Sequence, residues 1–353
     1  MKRIRDIFKT LCSIENIAMA HQNARKGKAH YREVKKVDAN PEKYFTALHD
    51  MLEKQAFSTS PYVAMVRTES GKRREILKSP YFPDRIVHHC IVQVLSPVWY
   101  KNLIRDTYAC IPKRGIHDGV NRIRQALCDQ PGTRYCLKMD AKKFYPSIDQ
   151  DILKVILRKK IKDPDVLALI DGIIDSTEAG VPIGNYLSQF FGNLYLSGYD
   201  HWMKECHQCK YYFRYCDDVV ILGPSKTRLH DLRRETDTYW SNRLKLTVKG
   251  NWQVFPIDAR GIDFLGYRFF HGYILLRKST AKNFKRKMRL LKRHWRKMPP
   301  VSVLSTVMSY EGWLRPANCL NLKKSHIDHE IKDIVSDVSR KMNINNPLWR
   351  CVV

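Results

Sequence analysis

Two adjacent aspartates between two short apolar runs constrain this chain more than any other stretch. Tyr211-Tyr212-Phe213 leads into Arg214-Tyr215-Cys216-Asp217-Asp218, and Val219-Val220-Ile221-Leu222 leads out. Strand-forming residues on both sides of a short polar tip predict a β-hairpin with Asp217 and Asp218 at its turn. A second run, Tyr135-Cys136-Leu137-Lys138-Met139, predicts a strand that ends at Asp140. Taken alone, an Asp-Asp pair is a solvated turn. If the two strands are neighbours, three carboxylates converge, and like charges in contact oppose one another's ionisation unless cations neutralise them. An all-oxygen ligand set suits Mg2+, and two such ions are what nucleotidyl transfer uses.

Other segments stand in a fixed order about that centre. Lys72-Arg73-Arg74 and Asp84-Arg85-Ile86-Val87-His88-His89 come first, then Asp140-Ala141-Lys142-Lys143-Phe144-Tyr145-Pro146-Ser147-Ile148-Asp149. Gly180-Val181-Pro182-Ile183-Gly184-Asn185-Tyr186-Leu187-Ser188-Gln189 precedes the hairpin, and Gly261-Ile262-Asp263-Phe264-Leu265-Gly266-Tyr267 follows it. From about Leu52 to about Asn318 this set resembles the reverse transcriptases of the bacterial group II intron-like lineage: fingers motifs, then motifs A, B and C, then the primer grip. The resemblance implies an α+β fold of right-hand polymerase architecture, with fingers, an antiparallel-sheet palm and a helical thumb. An N-terminal helical extension and fingers are expected over 1–133, the palm with a helical fingers-side insertion over 134–257, and the primer grip and basic thumb over 258–353.

The same resemblance implies RNA-directed DNA synthesis from deoxynucleoside triphosphates. Asp140, Asp217 and Asp218, with the backbone carbonyl of Ala141, are expected to hold two Mg2+ ions, for which Mn2+ can substitute. Tyr145 stands where the family places an aromatic ring under the sugar of the incoming nucleotide, leaving no room for a 2′-hydroxyl. Its neighbour Phe144 is expected to pack inward on strand alternation. Lys72, Arg74 and Arg85 are candidates to hold the triphosphate, as fingers cations do. Lys249, near the family's motif D, is a candidate to protonate the leaving pyrophosphate. Asp149 and Asp151 stand at an expected helix start and are assigned to capping.

Motif B departs from the commoner pattern. Pro182-Ile183-Gly184 replaces Pro-Gln-Gly, and Ser188-Gln189 replaces Ser-Pro. Gly184 to Gln189, the run Lys249 to Pro256, and Leu276-Arg277-Lys278-Ser279 resemble the diversity-generating retroelement subgroup. That likeness implies copying of a template-repeat RNA into cDNA with errors at template adenines, and a small accessory variability protein as partner. Ile183 can only pack where a Gln could hydrogen-bond, so a polar check on the substrate is lost. A defence-associated or otherwise unclassified bacterial reverse transcriptase is the alternative, and a non-catalytic RNA-binding scaffold a further one.

Composition agrees with a nucleic-acid partner. The 353 residues hold 63 Lys and Arg against 35 Asp and Glu, a formal charge of +28. An excess of that size implies a polyanion, here an RNA template and a cDNA–primer duplex. No apolar run approaches the ~20 residues of a bilayer span, and Met1 to Phe8 lacks a long apolar core, so a cytoplasmic, bacterial or phage-encoded protein is expected. Ten scattered cysteines suit a reducing compartment. Cys206-His207-Gln208-Cys209, with His201 nearby, has no second pair to complete a zinc site and is assigned to the turn before Tyr211. Helices are expected over Phe82–Ile104, Asn185–Cys206 and Lys226–Arg243, with strands at Leu244–Val248 and Gln253–Pro256. Between Arg277 and Lys297 stand eleven Lys and Arg and no acid, while Phe284, Met288, Leu291 and Trp295 share one helical face. The other faces are therefore cationic, suited to contact with phosphate. Ser309-Tyr310-Glu311-Gly312-Trp313-Leu314 resembles the thumb signature of the same lineage.

Overall fold

The computed structural model describes residues 3–69 and 72–342, with only the backbone given for Glu69 and Lys72. Among them, β1 (Val63–Glu69) and β2 (Lys72–Lys78) form an antiparallel ribbon in which Arg67 faces Arg74. A four-stranded sheet takes β3 (Tyr135–Met139), β4 (Tyr211–Tyr215), β5 (Asp218–Gly223) and β6 (Gln253–Pro256) in the order β4-β5-β3-β6. A third, antiparallel sheet is β7 (Ile262–Phe264), β8 (Tyr267–Phe269) and β9 (Ile274–Leu276). The chain divides into two compact units, one of Met1–Gly115, Lys138–Ile221 and His230–Gln253, the other of Ile116–Leu137, Leu222–Leu229 and Val254–Val353.

In the first unit the N-terminal extension is helical. Ser13 caps helix Ile14–Ala24 by accepting from the Asn16 N–H, and Asn40 followed by Pro41 starts helix Pro41–Glu53. Helix Ile14–Ala24 buries Ile17 and Ala20 against helix Ile86–Tyr100, whose Val87, Ile91 and Leu95 are fully covered. That second helix is shorter than its apolar spacing predicts. Pro83 disfavours helical geometry at the residue before it, and Phe82 is extended (φ −116°, ψ 134°), so Tyr81–Arg85 form a wider turn and the regular helix begins at Ile86.

Asp149 caps helix Gln150–Arg158 as expected, its Oδ1 accepting from the Ile152 N–H at 3.0 Å. Asp151 lies inside that first turn and is not the cap. Helix Ser188–His201 buries Phe190, Phe191, Leu194, Tyr195 and Tyr199. The strand expected at Leu244–Val248 does not form. Helix Lys226–Leu244 closes with the Leu246 N–H on the Trp240 carbonyl, and Lys245 takes a left-handed conformation (φ 49°) that breaks extension. Only the single bridge Val248–Ala141 remains, with the Lys249 N–H on the Asp140 carbonyl at 2.8 Å.

In the second unit, helix Lys278–His294 buries Phe284, Met288 and Leu291 against helices Pro300–Leu314 and His329–Lys341. Lys282, Lys285, Arg286, Lys287 and Arg289 stay exposed on its other faces, while Lys292 is paired with Asp328 and Glu330. The two segments that resemble the primer grip and the thumb signature meet here. Gly266 (φ 85°) has Trp313 so close that a Cβ would lie 2.5 Å from its ring, and the Tyr267 hydroxyl donates to the Trp313 carbonyl at 3.0 Å.

Candidate active site

Because β5 lies beside β3, the turn at Cys216-Asp217 faces the residue that ends β3. Burial, together with the neighbouring carboxyls of Asp140 and Asp218, pushes Asp217 from 3.8 up to about 8. A carboxyl placed beside other carboxyls resists ionisation unless a cation compensates it. The outer oxygens have partners: Asp140 Oδ2 lies 3.2 Å from Lys249 Nζ, and Asp218 Oδ2 lies 3.3 Å from Lys138 Nζ. Asp217 has no cationic partner among the described residues. Lys138 was missed in the sequence, although its place two residues before Asp140 on β3 puts both on one face of the strand. The Val248–Ala141 bridge bonds through the peptide groups of Asp140 and Lys142, so the Ala141 carbonyl takes no part in it.

Beneath the turn sits a group that sequence reasoning did not pick. Arg214 is fully buried on β4 and donates to both oxygens of the equally buried Asp200, at 2.7 and 2.6 Å. Its Nη1 donates to the Cys216 carbonyl at 2.7 Å and to Asn193 Oδ1 at 3.3 Å. Burial pulls the guanidinium pKa down, but the Asp200 carboxylate outweighs it, so the Arg214 pKa ends above its ordinary value. The Tyr212 hydroxyl and Thr107 complete the hydrogen bonds to Asp200. Cys216, with φ 54°, is thus fixed through its carbonyl in a conformation that a non-glycine residue rarely takes.

A cavity of about 170 Å³ is lined by Arg85, Tyr145, Ile183, Gly184, Ser188 and Gln189, with Asn185 and Tyr186. All but the last two were picked from sequence. Gly184 (φ 124°) admits β2, since a Cβ there would lie 2.5 Å from the Leu77 carbonyl, and the Leu77 N–H donates to the Ile183 carbonyl at 2.7 Å. The Ser188 hydroxyl is used within the protein, donating to the Pro182 carbonyl at 2.7 Å. Gln189 Oε1 accepts from the Cys110 thiol. Arg85 lies over the Tyr186 ring at 5.8 Å, and Tyr186 stacks at 4.0 Å on His89, which burial and the Arg85 charge hold neutral by pushing its pKa down to about 3. Burial also lowers the Arg85 pKa, its Nε has no hydrogen-bond partner, and among the described residues no acid forms an ion pair with it. Asp84 beside it is taken by the Ser60 N–H and hydroxyl.

Phe144 is buried, as expected, and Tyr145 half-buried. The reason differs: both lie in a helical turn, Phe144–Ser147, and not in a strand. Arg74 is exposed on β2, and the Lys72 side chain lies outside the described residues. His201 bonds Glu205 and the Asn102 carbonyl, and Cys206 and Cys209 flank the turn before β4.

A family model for reverse transcriptase (RNA-dependent DNA polymerase) matches residues 66–269, the span that holds both the carboxylates and the cavity. The chain belongs to the reverse transcriptase family. It is similar to Protein YkfC of Escherichia coli (strain K12), 23% identical over 243 residues, covering 56% of this chain and 64% of that protein. It is also similar to Nuclear intron maturase 1, mitochondrial, of Arabidopsis thaliana, 28% identical over 113 residues, 31% of this chain and 16% of that one. Apo telomerase from Candida tropicalis shares the fold, with a TM-score of 0.50 at 11% identity over 81% of this chain and 59% of that one. The chain therefore spans less than two thirds of these proteins. That likeness and the mixed helical and antiparallel architecture bear out the right-hand polymerase fold expected from sequence. No helix among the described residues is long and apolar enough to cross a membrane.

A reverse transcriptase domain calls for divalent cations, and the donor set fits them. Asp140 and Asp217 offer hard oxygen donors, and the raised Asp217 carboxyl is one that a cation beside it would ionise. With Asp218 turned to Lys138 and Asp140 to Lys249, the three carboxylates do not form a closed ligand cluster.

Proposed function

We propose that this chain is an RNA-directed DNA polymerase of the diversity-generating type, extending a cDNA on an RNA template from deoxynucleoside triphosphates. The observation that carries the polymerase is one of charge. A carboxyl raised by its neighbour, Asp217 beside Asp140, and an arginine without an acid partner, Arg85, lie in the same unit, the arginine at a cavity walled by Tyr145. The metal-bound triphosphate of a nucleotide supplies what each of them lacks.

Asp140, Asp217 and Asp218, with the Ala141 carbonyl, would hold Mg2+ or Mn2+. Two such ions lower the pKa of the primer 3′-hydroxyl and hold the charge of the leaving pyrophosphate. Arg85 orients the triphosphate by charge-assisted hydrogen bonds, with Arg74 and Lys72 on the ribbon above motif B as further cations. Tyr145 sets the edge of the sugar site against a 2′-hydroxyl. Lys249, held at Asp140, is a candidate to give a proton to the leaving group.

The finer subtype rests on motif B. Ile183, Gly184 and Gln189 line the same cavity, which supports reading the side chain that replaces the commoner Gln as a neighbour of base or template. An apolar Ile183 offers no hydrogen bond whose loss would reject a wrong pair, which favours error. A template-repeat RNA and a small accessory protein follow from the same subgroup likeness, and the exposed cations of helix Lys278–His294 suit a template–primer duplex.

The test is cDNA synthesis with Mg2+ on an RNA template, with products sequenced beside an Asp217→Ala control. Synthesis that is lost in the control and errs at template adenines supports the whole proposal. Accurate synthesis would remove the diversity-generating subtype and keep the polymerase. Activity retained by the control would remove the assignment of the aspartates.

A further inference from the structure

Three segments distant in the chain meet, within the second unit, at a cavity of about 370 Å³ that the proposed chemistry does not use. Helix Ile116–Ala126 brings Arg124, and the turn between β8 and β9 brings Phe270, His271 and Tyr273. Arg315 and Asn318 come from the turn after helix Pro300–Leu314. No acid lines the cavity. Arg124 and Arg315 are exposed, and among the described residues neither forms an ion pair.

The walls are fixed by their own hydrogen bonds. Asn318 is clamped to Ile274 in both directions: its N–H donates to the Ile274 carbonyl at 2.7 Å, and its Oδ1 accepts from the Ile274 N–H at 2.8 Å. With Oδ1 so used, its Nδ2 remains a donor without a partner among the described residues. His271 is anchored at both ring nitrogens, Nδ1 at 2.6 Å from Asp258 and Nε2 at 3.1 Å from the Thr133 hydroxyl. Asp258 is thereby engaged by the histidine and by neither arginine. The Phe270 and Tyr273 rings stack at 4.5 Å with 19° between their planes. Tyr273 is nonetheless 45% exposed, so a ring supported from one side still offers surface at the cavity.

We propose that this cavity binds an unpaired nucleotide of an RNA strand. The two arginines suit the phosphodiester, which a guanidinium holds through a fork of N–H donors. The supported ring is a stacking platform, and only a base freed from its partner and neighbours can lie on it. The Asn318 amide adds a donor for a base edge or a phosphate oxygen. The volume falls within the range of about 300–1,000 Å³ that small-ligand clefts occupy, too little for a duplex. The site shares no residue with the nucleotide cavity lined by Tyr145. It is also distinct from the segment that resembles the primer grip. β8 meets β7 at the Leu265-Gly266 turn and β9 at the Phe270–Tyr273 turn, which are opposite ends of the strand. Gly266 and Phe270 are roughly 13 Å apart at about 3.3 Å per residue.

Binding is measured without synthesis, so its outcome does not depend on the polymerase reading. A short unstructured fluorescent RNA, alone and annealed to its complement, is titrated by anisotropy onto wild type, Tyr273→Ala, Tyr273→Phe and Arg124→Gln/Arg315→Gln. Tyr273→Ala should weaken the single strand by about five- to a hundredfold, the worth of one stacked base. Its duplex affinity should stay at the wild-type value, which also shows that the variant is folded. Tyr273→Phe keeps the ring and should bind as wild type does. The double arginine variant should weaken the single strand and lower its salt slope by about 1.4, the counterion release of two phosphate contacts. A loss shared equally by single strand and duplex would reduce the site to general electrostatics and overturn the proposal. Unchanged single-strand affinity in Tyr273→Ala would overturn it too, leaving the cavity to a ligand of another class. Adenosine monophosphate at the concentration of the strand should not displace it; displacement would make the ligand a free nucleotide and refute the strand.

Discussion

Arg214→Met is the perturbation for which the structure gives the sharpest magnitude. Arg214 and Asp200 are both fully buried, and each oxygen of Asp200 accepts from the guanidinium. Removing the arginine leaves a carboxylate in the interior with only the Tyr212 hydroxyl and the longer contact from Thr107. Breaking a buried pair in this way costs about 3–5 kcal/mol, because the remaining charge has lost its neutraliser. Asp200→Leu should cost a similar amount for the opposite reason. The double variant Arg214→Met/Asp200→Leu buries no charge at all and should recover to within about 1–2 kcal/mol of wild type. Chemical denaturation of the four proteins at neutral pH gives the cycle directly.

Activity should not follow stability. In Arg214→Met and in the double variant alike, the Cys216 carbonyl loses its donor, and the left-handed turn that presents Asp217 loses what fixes it. The double variant is therefore expected to fold well and still synthesise cDNA at least about tenfold more slowly, one neutral-to-charged hydrogen bond being worth about 1.5–3 kcal/mol. A single Arg214→Met variant less than about 1 kcal/mol weaker than wild type would refute the account of the buried pair. A double variant with full activity would refute the account of the turn.

Three further outcomes are expected. Arg85→Ala should raise KM for the deoxynucleotide by about ten- to a hundredfold in steady-state kinetics, with kcat less affected and Arg85→Lys intermediate, since a point charge replaces a fork. Asp217, raised to about 8, is mostly protonated at pH 7 without metal, so adding Mg2+ to weakly buffered wild-type protein should release a proton that Asp217→Asn does not. The sign for metal-free stability agrees: a raised carboxyl favours the fold below its unfolded value of 3.8, and that stability is lost as pH rises toward about 8. Asp149 is held below the usual carboxylate range first by Lys245, despite partial burial, so its contribution is present above that range and lost as pH falls through it. Asp149→Ala should cost about 1 kcal/mol in denaturation at pH 7, the worth of a helix cap.

The parts of the site legible in sequence are those in which chemistry demands particular residues at particular chain positions. The aspartates at two strand ends, the glycine that admits β2 and the aromatic after motif A are of this kind, and six of the eight cavity residues could be picked without coordinates. Arg214, Asp200 and the pairing of Lys138 with Asp218 could not. Each makes its decisive contact with a residue that only the sheet order or helix packing brings near, and an arginine beside apolar residues in a strand reads equally well as an edge charge. The failed strand at Leu244–Val248 has the same cause. Its alternating composition is right for a strand, but the closure of the preceding helix and the left-handed Lys245 are settled by packing around Trp240. Phe144 shows that a correct expectation can rest on a wrong premise: it is buried by a helical turn against Gly192 and not by strand alternation.

Net charge and burial answer different questions about a ligand. A formal charge of +28 says that a polyanion is wanted, yet with 63 lysines and arginines it cannot say where. Exposed cations, such as those on helix Lys278–His294, are solvated whether or not nucleic acid is present, and cost the fold little. Arg85 is different, because partial burial has stripped some of its water and no acid partner has replaced it. Asp217 is its mirror image, half-buried beside the Asp140 carboxyl. Either could have been relieved within the protein, by a neighbouring carboxylate or a lysine, as Asp218 is by Lys138. Leaving both unrelieved lowers the stability of the free protein and raises the affinity for a ligand that carries cations to one group and phosphate to the other. Under the proposed function that ligand is a metal-bound nucleoside triphosphate. The same argument makes the free enzyme gain most in stability when metal and nucleotide arrive together, so thermal shifts with both present should exceed the sum of those with either alone.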